Sequence, residues 1–174
     1  MRQITVPTDI TAPILEWILN ESNRNDHCFT PKSHQGTVHG IRNLNVENSV
    51  LYEEVMAIDR YVLEQYGLDL NTPFDPKDGV FLSYSGEGHI VHLHRDFNPD
   101  DDTLHIRFNI MIQKPLEGGN PIIGGTTIEV EENQTWVCEA GNYDHTIEEV
   151  RGDRPRVMLS LGHYVNKELW NNLQ

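Results

Sequence analysis

Apolar positions follow two different periods along this chain, and the change from one to the other divides it. Over residues 8–22, Ile14, Leu15, Trp17, Ile18 and Leu19 gather on one face of a helix, with Thr11 placed to cap it and Pro13 in its first turn. A second helix is predicted over residues 48–66, where Leu51, Val55, Ile58, Val62 and Tyr66 recur three and four apart before Gly67 ends the run. Both patterns are amphipathic, so each helix should lay one face on a sheet. Residues 20–45 between them are polar and aperiodic, which predicts an irregular loop long enough to close over a site. His27, Cys28, His34 and His39 fall in this stretch, but their spacing matches no zinc pattern.

Residues 71–79, Asn-Thr-Pro-Phe-Asp-Pro-Lys-Asp-Gly, are turn chemistry, and after them the period becomes two. Strands are predicted over residues 80–84, 88–97, 104–113, 126–131, 135–139, 145–150 and 156–165, with glycine-rich turns at 85–88, 117–121 and 124–125. A closing helix over 167–173 has Asn166 in place to cap it. Two helices followed by about seven short strands describe a mainly β chain with flanking helices. The arrangement expected is a double-stranded β-helix (jelly roll) core packed by N-terminal helices. Residues 1–78 would form helical support and loop, 79–165 the jelly-roll core and 166–174 the terminal helix, all in the single domain that 174 residues can build.

Composition narrows the range of partners. The formal net charge is -14, with 27 acidic residues against 13 Lys and Arg, which disfavours a nucleic-acid partner. No run approaches the roughly 18 apolar residues of a membrane span, and the first seven residues lack an apolar stretch of signal-peptide length. No membrane association is expected, and a cytoplasmic location is. Cys28 and Cys138 stand far apart, so both are expected to be reduced thiols.

The candidate chemistry centres on His94-Arg95-Asp96. Side chains two apart on extended backbone share a face, so an imidazole and a carboxylate can reach one ion together. With His145 as third ligand they would complete the two-histidine, one-carboxylate set that suits non-haem Fe(II). His92 lies on the same face, but as a neighbour of that set. On residues 104–113 the alternation groups Arg107, Asn109, Met111 and Gln113 against a wholly apolar set, Ile106, Phe108, Ile110 and Ile112. The first group would line a polar cavity. There Arg107 would meet either a cosubstrate carboxylate or one of the chain's own acidic residues. On the last strand Arg156, Met158 and Ser160 share a face; Arg156 offers a planar fork for a carboxylate and Ser160 a hydroxyl. Arg154 competes with Arg156, but Pro155 places the start of the ladder after itself. Phe97 and Trp136 are expected to be packing residues.

His94, Asp96, the distant His145 and Arg156 about ten residues later together resemble the pattern of the Fe(II)- and 2-oxoglutarate-dependent dioxygenases. Two branches are similar. Tyr84-Ser85-Gly86 ahead of His94 resembles the prolyl 4-hydroxylase pattern, in which a tyrosine helps to bind 2-oxoglutarate. The run His94-Arg95-Asp96-Phe97, Arg107-Phe108-Asn109, Thr135-Trp136 and Asp144-His145 resembles the aspartyl/asparaginyl β-hydroxylases, although Asn109 stands where their Arg-x-His pair has its histidine. The resemblance implies Fe(II) on His94, Asp96 and His145. It further implies 2-oxoglutarate held by Arg156 with help from Tyr84, Arg107, Ser160 or Asn109, and O2 as oxidant; ascorbate is a candidate auxiliary reductant. The implied reaction is hydroxylation of an aliphatic carbon of an amino acid, free or within a polypeptide, with succinate and CO2 as coproducts. A cupin-type metalloenzyme and a non-enzymatic metal-binding jelly roll are the alternatives, and the cupin-type centre has no need of Arg156. Specificity would lie in loops 23–45 and 97–103.

Overall fold

Two long strands carry the framework of the computed structural model, which describes residues 3–30 and 36–174. Strand β3 (Thr103–Gln113) and strand β8 (Arg156–Asn166) pair antiparallel from Thr103 opposite Asn166 to Met111 opposite Met158. With β1 (Val38–Arg42), β2 (Val80–Ser85) and β6 (Thr135–Glu139) they form a five-stranded sheet ordered β1-β2-β8-β3-β6. A smaller sheet is ordered β5-β4-β7, from Thr126–Thr127, Pro121–Ile123 and His145–Ile147. The chain is thus mainly β with several helices.

Alternation decides what each face of the large sheet does. Ile106, Phe108, Ile110 and Ile112 of β3, Val157, Leu159 and Leu161 of β8, and Val80 and Leu82 of β2 enter the main core. They share it with Ile14 and Ile18 of α1 (Thr8–Leu19) and with Val55, Ile58, Val62 and Leu63 of α3 (Tyr52–Tyr66). Each such side chain contributes about 1.5–3 kcal/mol by leaving water. The opposite face, with Arg107, Asn109, Met158 and Ser160, turns toward the small sheet and lines a cavity.

Several predicted elements change. The helix expected over 8–22 breaks at Asn20, whose extended backbone ends α1 and whose Oδ1 accepts from Ser22 N–H to start α2 (Glu21–His27). Thr11 caps nothing; buried in α1, its hydroxyl lies 2.7 Å from Asn133 Oδ1, and Pro13 falls inside the helix. The predicted loop over 20–45 therefore holds α2 and β1, and β1 joins the large sheet from within the part of the chain expected to be only support. Helix α2 buries no residue. It is held through Arg24 Nη1, which lies 2.7 Å from each of the carbonyls of Ile18 and Leu19, satisfying the open end of α1. His34 lies outside the described residues.

Helix α3 starts at Tyr52 rather than at residue 48, because Leu51 before it is left-handed. It ends as expected at Gly67, whose φ of 75° is left-handed and whose N–H reaches the carbonyls of Leu63 and Glu64. Pro121–Ile123, read as a turn, is strand β4. Gly124 and Gly125, both with positive φ, fold it back on β5 in a two-residue hairpin that ends at Thr127 instead of residue 131. Strand β7 stops at Ile147 rather than residue 150. Residues 88–97 form no ladder strand and keep isolated bridge positions at Ile90 and His94, the latter opposite His145. The last helix, α4 (Lys167–Leu173), is capped by Asn166 Oδ1 accepting from Leu169 N–H at 3.0 Å. Among the described residues no helix is long and apolar enough to cross a membrane.

One polar pair crosses the main core. His163 of β8 sets its Nε2 2.8 Å from Asp59 Oδ1 of α3 and its Nδ1 3.1 Å from the Thr72 carbonyl, under the stacked ring of Phe74. Asp59 and His163 are 1% and 0% exposed, so removing one partner strands the other away from water. Asp59→Ala is expected to lower unfolding stability by about 3–5 kcal/mol, read from the urea midpoint. An unchanged midpoint would show that the pair does not tie α3 to the sheet.

Candidate metal centre and anion pocket

Residues 88–97 run beside β7 and are pinned at intervals to it and to the residues flanking it. Gly88 donates to the Val150 carbonyl at 2.8 Å, Val150 donates to His89 at 3.0 Å, and Thr146 Oγ1 donates to the Val91 carbonyl. His94 and His145 exchange both backbone hydrogen bonds, at 3.2 and 2.8 Å, and Asp96 N–H reaches the Ala140 carbonyl at 2.9 Å. That reciprocal pairing sets the two imidazoles 4.2 Å apart between ring centres. Ligand atoms of His94, Asp96 and His145 all lie within 4.8 Å of one another. The backbone here is extended without being a regular strand, so the two-residue spacing operates outside the element that was predicted for it.

Each of the three offers one free donor atom. His94 Nδ1 lies 2.8 Å from the His92 carbonyl, and His145 Nδ1 lies 3.1 Å from the Tyr143 carbonyl. A carbonyl only accepts, so in the neutral ring the proton sits on Nδ1 and the Nε2 lone pair is left for a metal. Burial pushes the His145 pKa down, against the Tyr143 hydrogen bond, and His94 beside it adds to the decrease. The neutral form that ligates is thereby favoured. At Asp96 burial opposes the charge, but the adjacent Arg107 guanidinium and its hydrogen bond outweigh it and hold the carboxyl below its usual range. Asp96 Oδ2 accepts from Arg107 Nε at 3.0 Å, while Oδ1 faces His94 Nε2 at 3.9 Å. The donor set therefore fits a divalent transition metal with open positions. Cys138 lines the same cavity but stands outside that donor set, and burial raises its thiol to about 12.

Arg107 is the centre of a network that holds the carboxylate. Its Nη1 donates to Ser160 Oγ at 3.2 Å and to the Asp78 carbonyl at 3.3 Å, and its Nη2 stands 3.9 Å from Asp75 Oδ2. His105 bridges the two acids, Nδ1 lying 3.5 Å from Asp96 and Nε2 3.5 Å from Asp75. Burial, with Arg107 adding to it, pushes the His105 pKa down. A Cβ at Gly162 would come within 3.2 Å of both Arg107 Nη1 and His105 Nε2, so a side chain there would press on both groups. The question left open for Arg107 is thus answered by the protein's own acids. Sequence reasoning missed Asp75 and His105. Parity on β3 placed His105 with Arg107, whereas Asp75 arrives from a turn with no signal of its own.

The cavity encloses about 280 Å³ between the two sheets. Arg156 forms another part of its wall at 2% exposure, with Nε donating to the Gly119 carbonyl at 2.8 Å and the guanidinium 5.7 Å from the centre of the Trp136 ring. Burial lowers its pKa to about 10, so it remains a cation at neutral pH. Among the described residues no carboxylate lies within ion-pair distance of it. A buried charge without a counter-ion is strongly unfavourable, and this one faces a space that an anion can fill. Arg154, its competitor, is paired on the surface with Glu132 at 2.7 Å. Ser160 and Asn109 line the cavity; Ser160 is engaged by Arg107, and Asn109 Nδ2 lies 3.4 Å from the Arg107 carbonyl.

Several expectations fail on placement. Met111 and Gln113, grouped with Arg107 and Asn109, do not line the cavity: Met111 packs in a second apolar cluster, and Gln113 Nε2 donates to the Pro155 carbonyl at 2.8 Å. Tyr84 shares the parity of Val80 and Leu82, packs against the main core, and carries the Arg24 guanidinium 4.2 Å above its ring, so it does not line the cavity. Phe97 is 88% exposed and packs nothing, because its neighbour Asp96 turns inward. Trp136 is buried as expected, at 3%. His92 is exposed and serves the site through its carbonyl.

No family model matches the sequence, and no curated protein does. Solved structures do match in fold. A prolyl 4-hydroxylase from Pseudomonas putida aligns over 95% of this chain and 92% of its own, at a TM-score of 0.65 and 16% identity. A prolyl hydroxylase from Trichoplax adhaerens, in complex with a hypoxia-inducible-factor peptide fragment, aligns over 98% and 86%, at a TM-score of 0.66 and 10% identity. HygX from Streptomyces hygroscopicus, with nickel and 2-oxoglutarate bound, aligns over 95% and 82%, at a TM-score of 0.64 and 9% identity. The chain therefore has the fold that these oxygenases share.

If Arg107 orients the metal-facing carboxylate, Arg107→Met is expected to weaken Fe(II) or Ni(II) binding by about 10- to 100-fold while the stoichiometry stays at one per chain. Anaerobic metal titration measures both. Unaltered affinity would reduce Arg107 to a structural ion pair.

Proposed function

We propose that this chain is an Fe(II)- and 2-oxoglutarate-dependent dioxygenase that hydroxylates an aliphatic carbon of an amino acid, free or within a polypeptide. The observation that carries the assignment is the joint presence, in one cavity, of a two-histidine, one-carboxylate set and a buried guanidinium with no counter-ion among the described residues. The two sheets around that cavity are the double-stranded β-helix of this assignment, and the whole chain acts as one dioxygenase domain. Unpaired Cys28 and Cys138 accord with the reducing, cytoplasmic setting expected for it.

His94, Asp96 and His145 would hold the iron through Nε2, Oδ1 and Nε2, leaving neighbouring positions for the cosubstrate and O2. When bound, iron with 2-oxoglutarate and O2 supplies an oxidant able to hydroxylate an unactivated carbon, with succinate and CO2 released. Everything else falls to the chain's own residues. Arg156 receives the far carboxylate of 2-oxoglutarate and gains the counter-ion it lacks, while the Gly119 carbonyl, Met158 sulfur and Trp136 ring fix the plane of its fork. Arg107 keeps Asp96 ionised and turned toward the histidines. The apolar side chains Ile123, Val91 and Ile147 on the facing wall exclude water from the reacting atoms. A cupin-type centre would have no use for Arg156, whose burial would go uncompensated.

An amino-acid substrate is supported by the peptide carried by the Trichoplax neighbour and by the net charge of -14, which would repel a polyanion.

Addition of 2-oxoglutarate to the anaerobic Fe(II) protein is expected to give a visible metal-to-ligand charge-transfer band. His94→Ala and Asp96→Ala should lose the iron, whereas His92→Ala keeps it. Arg156→Ala should weaken 2-oxoglutarate binding about a hundredfold or more, the scale of a broken buried charge pair, with Arg154→Ala unaffected. Iron retained by both ligand variants, or normal 2-oxoglutarate affinity in Arg156→Ala, would overturn the assignment.

A further inference from the structure

The wall of the cavity formed by β1 and the turn before β2 carries a second pair of charges that the oxygenase chemistry leaves unused. Arg42 ends β1, opposite Phe81 in the ladder, and its Nη1 lies 3.1 Å from Asp78 Oδ1. Both residues line the same cavity as His94, Asp96 and His145. They are reachable from solvent, with side-chain exposures of 51% and 27%. Asp78 Oδ1 is nonetheless shielded from water and has no aligned hydrogen-bond donor, since Arg42 stands near it but off the line of a good bond. The pair is poised without being saturated.

Both partners are held in place before any ligand arrives. The Arg42 guanidinium lies 5.1 Å from the centre of the Phe29 ring, which supports its face and leaves its donor edge free. Phe29 is itself bonded to Gly40 of β1 through both backbone groups at 2.8 Å. Asp78 is fixed by its carbonyl, which accepts from Arg107 Nη1 at 3.3 Å, and the following residue, Gly79, accepts from Gly162 N–H at 2.6 Å. The same Arg107 guanidinium donates to Asp96 through Nε at 3.0 Å. One planar group therefore spans from Asp78 to the metal-facing carboxylate, which sets the charged pair a single guanidinium away from the reactive end of the cavity.

A cation and an anion side by side, at the mouth of a small cavity, are complementary to a ligand whose own opposite charges sit side by side. An α-amino acid with both ends free has that form, its ammonium and carboxylate attached to one carbon. We propose that Arg42 and Asp78 form the head-group subsite for a free α-amino acid, Arg42 taking the carboxylate and Asp78 the ammonium, with the side chain passing Val38, Phe81 and Val91 toward the metal centre. The planar fork of Arg42 suits a carboxylate taken with two bonds, and a carboxylate accepting from an ammonium gives the stronger, charge-assisted type of hydrogen bond. The exchange keeps the four charges neutral as a set, so Arg42 and Asp78 trade their mutual contact for two better-aligned ones. A residue inside a polypeptide carries neither charge and gains nothing from the pair. The cavity volume of about 280 Å³ also suits a small ligand better than a chain segment.

The subsite presupposes the oxygenase assignment above, and the test separates the two. The anaerobic enzyme loaded with Fe(II) and 2-oxoglutarate is titrated by calorimetry with each free proteinogenic L-amino acid, with the N-acetyl and carboxamide forms of any that bind, and with a short peptide containing the same residue. Absence of the visible band with 2-oxoglutarate alone would defeat the oxygenase assignment, whatever the amino acids do. With the band present, an amino acid with an aliphatic side chain is expected to bind, and capping either end should weaken it about ten- to a hundredfold, the weight of a lost charge-assisted hydrogen bond. Arg42→Gln should remove the penalty for the carboxamide alone, and Asp78→Asn the penalty for the acetyl group alone, with the band and 2-oxoglutarate affinity unchanged in both. Binding of the peptide or the capped forms in preference to the free amino acid would overturn the subsite. So would failure of every free amino acid to bind, or variants that discriminate as the wild type does.

Discussion

A carboxylate that serves a metal must remain charged while partly buried and must not rotate away, and at Asp96 the Arg107 guanidinium meets both conditions. Burial alone would raise the pKa of this acid, and Arg107 reverses the direction. The segment that carries Asp96 has no ladder of its own, so its rigidity is borrowed. Arg107 projects from β3, the strand whose other face places Ile106, Phe108 and Ile110 at 0% exposure in the main core. The stiffness of the close-packed core thus reaches the metal side through one side chain. Asp75 and His105 brace that side chain from behind, and Gly162 on the adjacent strand leaves them the space.

Two arginines on neighbouring strands show how neighbours set a side chain's role. Arg107 and Arg156 both face the cavity, and the sequence leaves the partner of Arg107 open while giving Arg156 the cosubstrate carboxylate. Arg107 finds Asp96, Ser160 and the Asp78 carbonyl, so its donors are taken by the protein. Arg156 finds one carbonyl, one sulfur and one aromatic ring, none of which carries a charge. Under the proposed function the first would be a structural cation that holds the metal-facing carboxylate, and the second the receptor for a cosubstrate carboxylate.

What could be read from the chain beforehand follows from how local its causes are. β3 and β8 were legible because strict alternation of Ile106, Phe108, Ile110 and Ile112, and of Val157, Leu159 and Leu161, admits one orientation. α3 and α4 were legible through their periodicity, Gly67 and Asn166. α2 was not, because it buries nothing and depends on Asn20 and on Arg24 reaching back to α1. β1 is an edge strand with a glycine at its centre, and among the described residues its ladder is with β2 alone, so no pattern announces it. At the site, residue types named His94, Asp96, His145 and Arg156, and the fold brings them to one cavity. Tyr84 was misplaced although its parity with Val80 and Leu82 pointed to the core. Asp75, and the pairing of Arg42 with Asp78, join segments far apart in sequence and leave no mark in either.

The segment from Gly88 to Phe97 is stitched to β7 and the residues flanking it by scattered hydrogen bonds, and one stitch is the reciprocal exchange between His94 and His145. An ion bound by those two side chains would act as a rivet through that stitch, closing a long loop between residues distant in the chain and adding its binding energy to local cohesion. Occupancy of the centre is then also a mechanical variable. With the rivet in place the wall of the cavity would hold its shape for a ligand, and without it the same wall rests on those scattered hydrogen bonds, so that amide hydrogen exchange at His94, Asp96 and His145 becomes a gauge of metal loading.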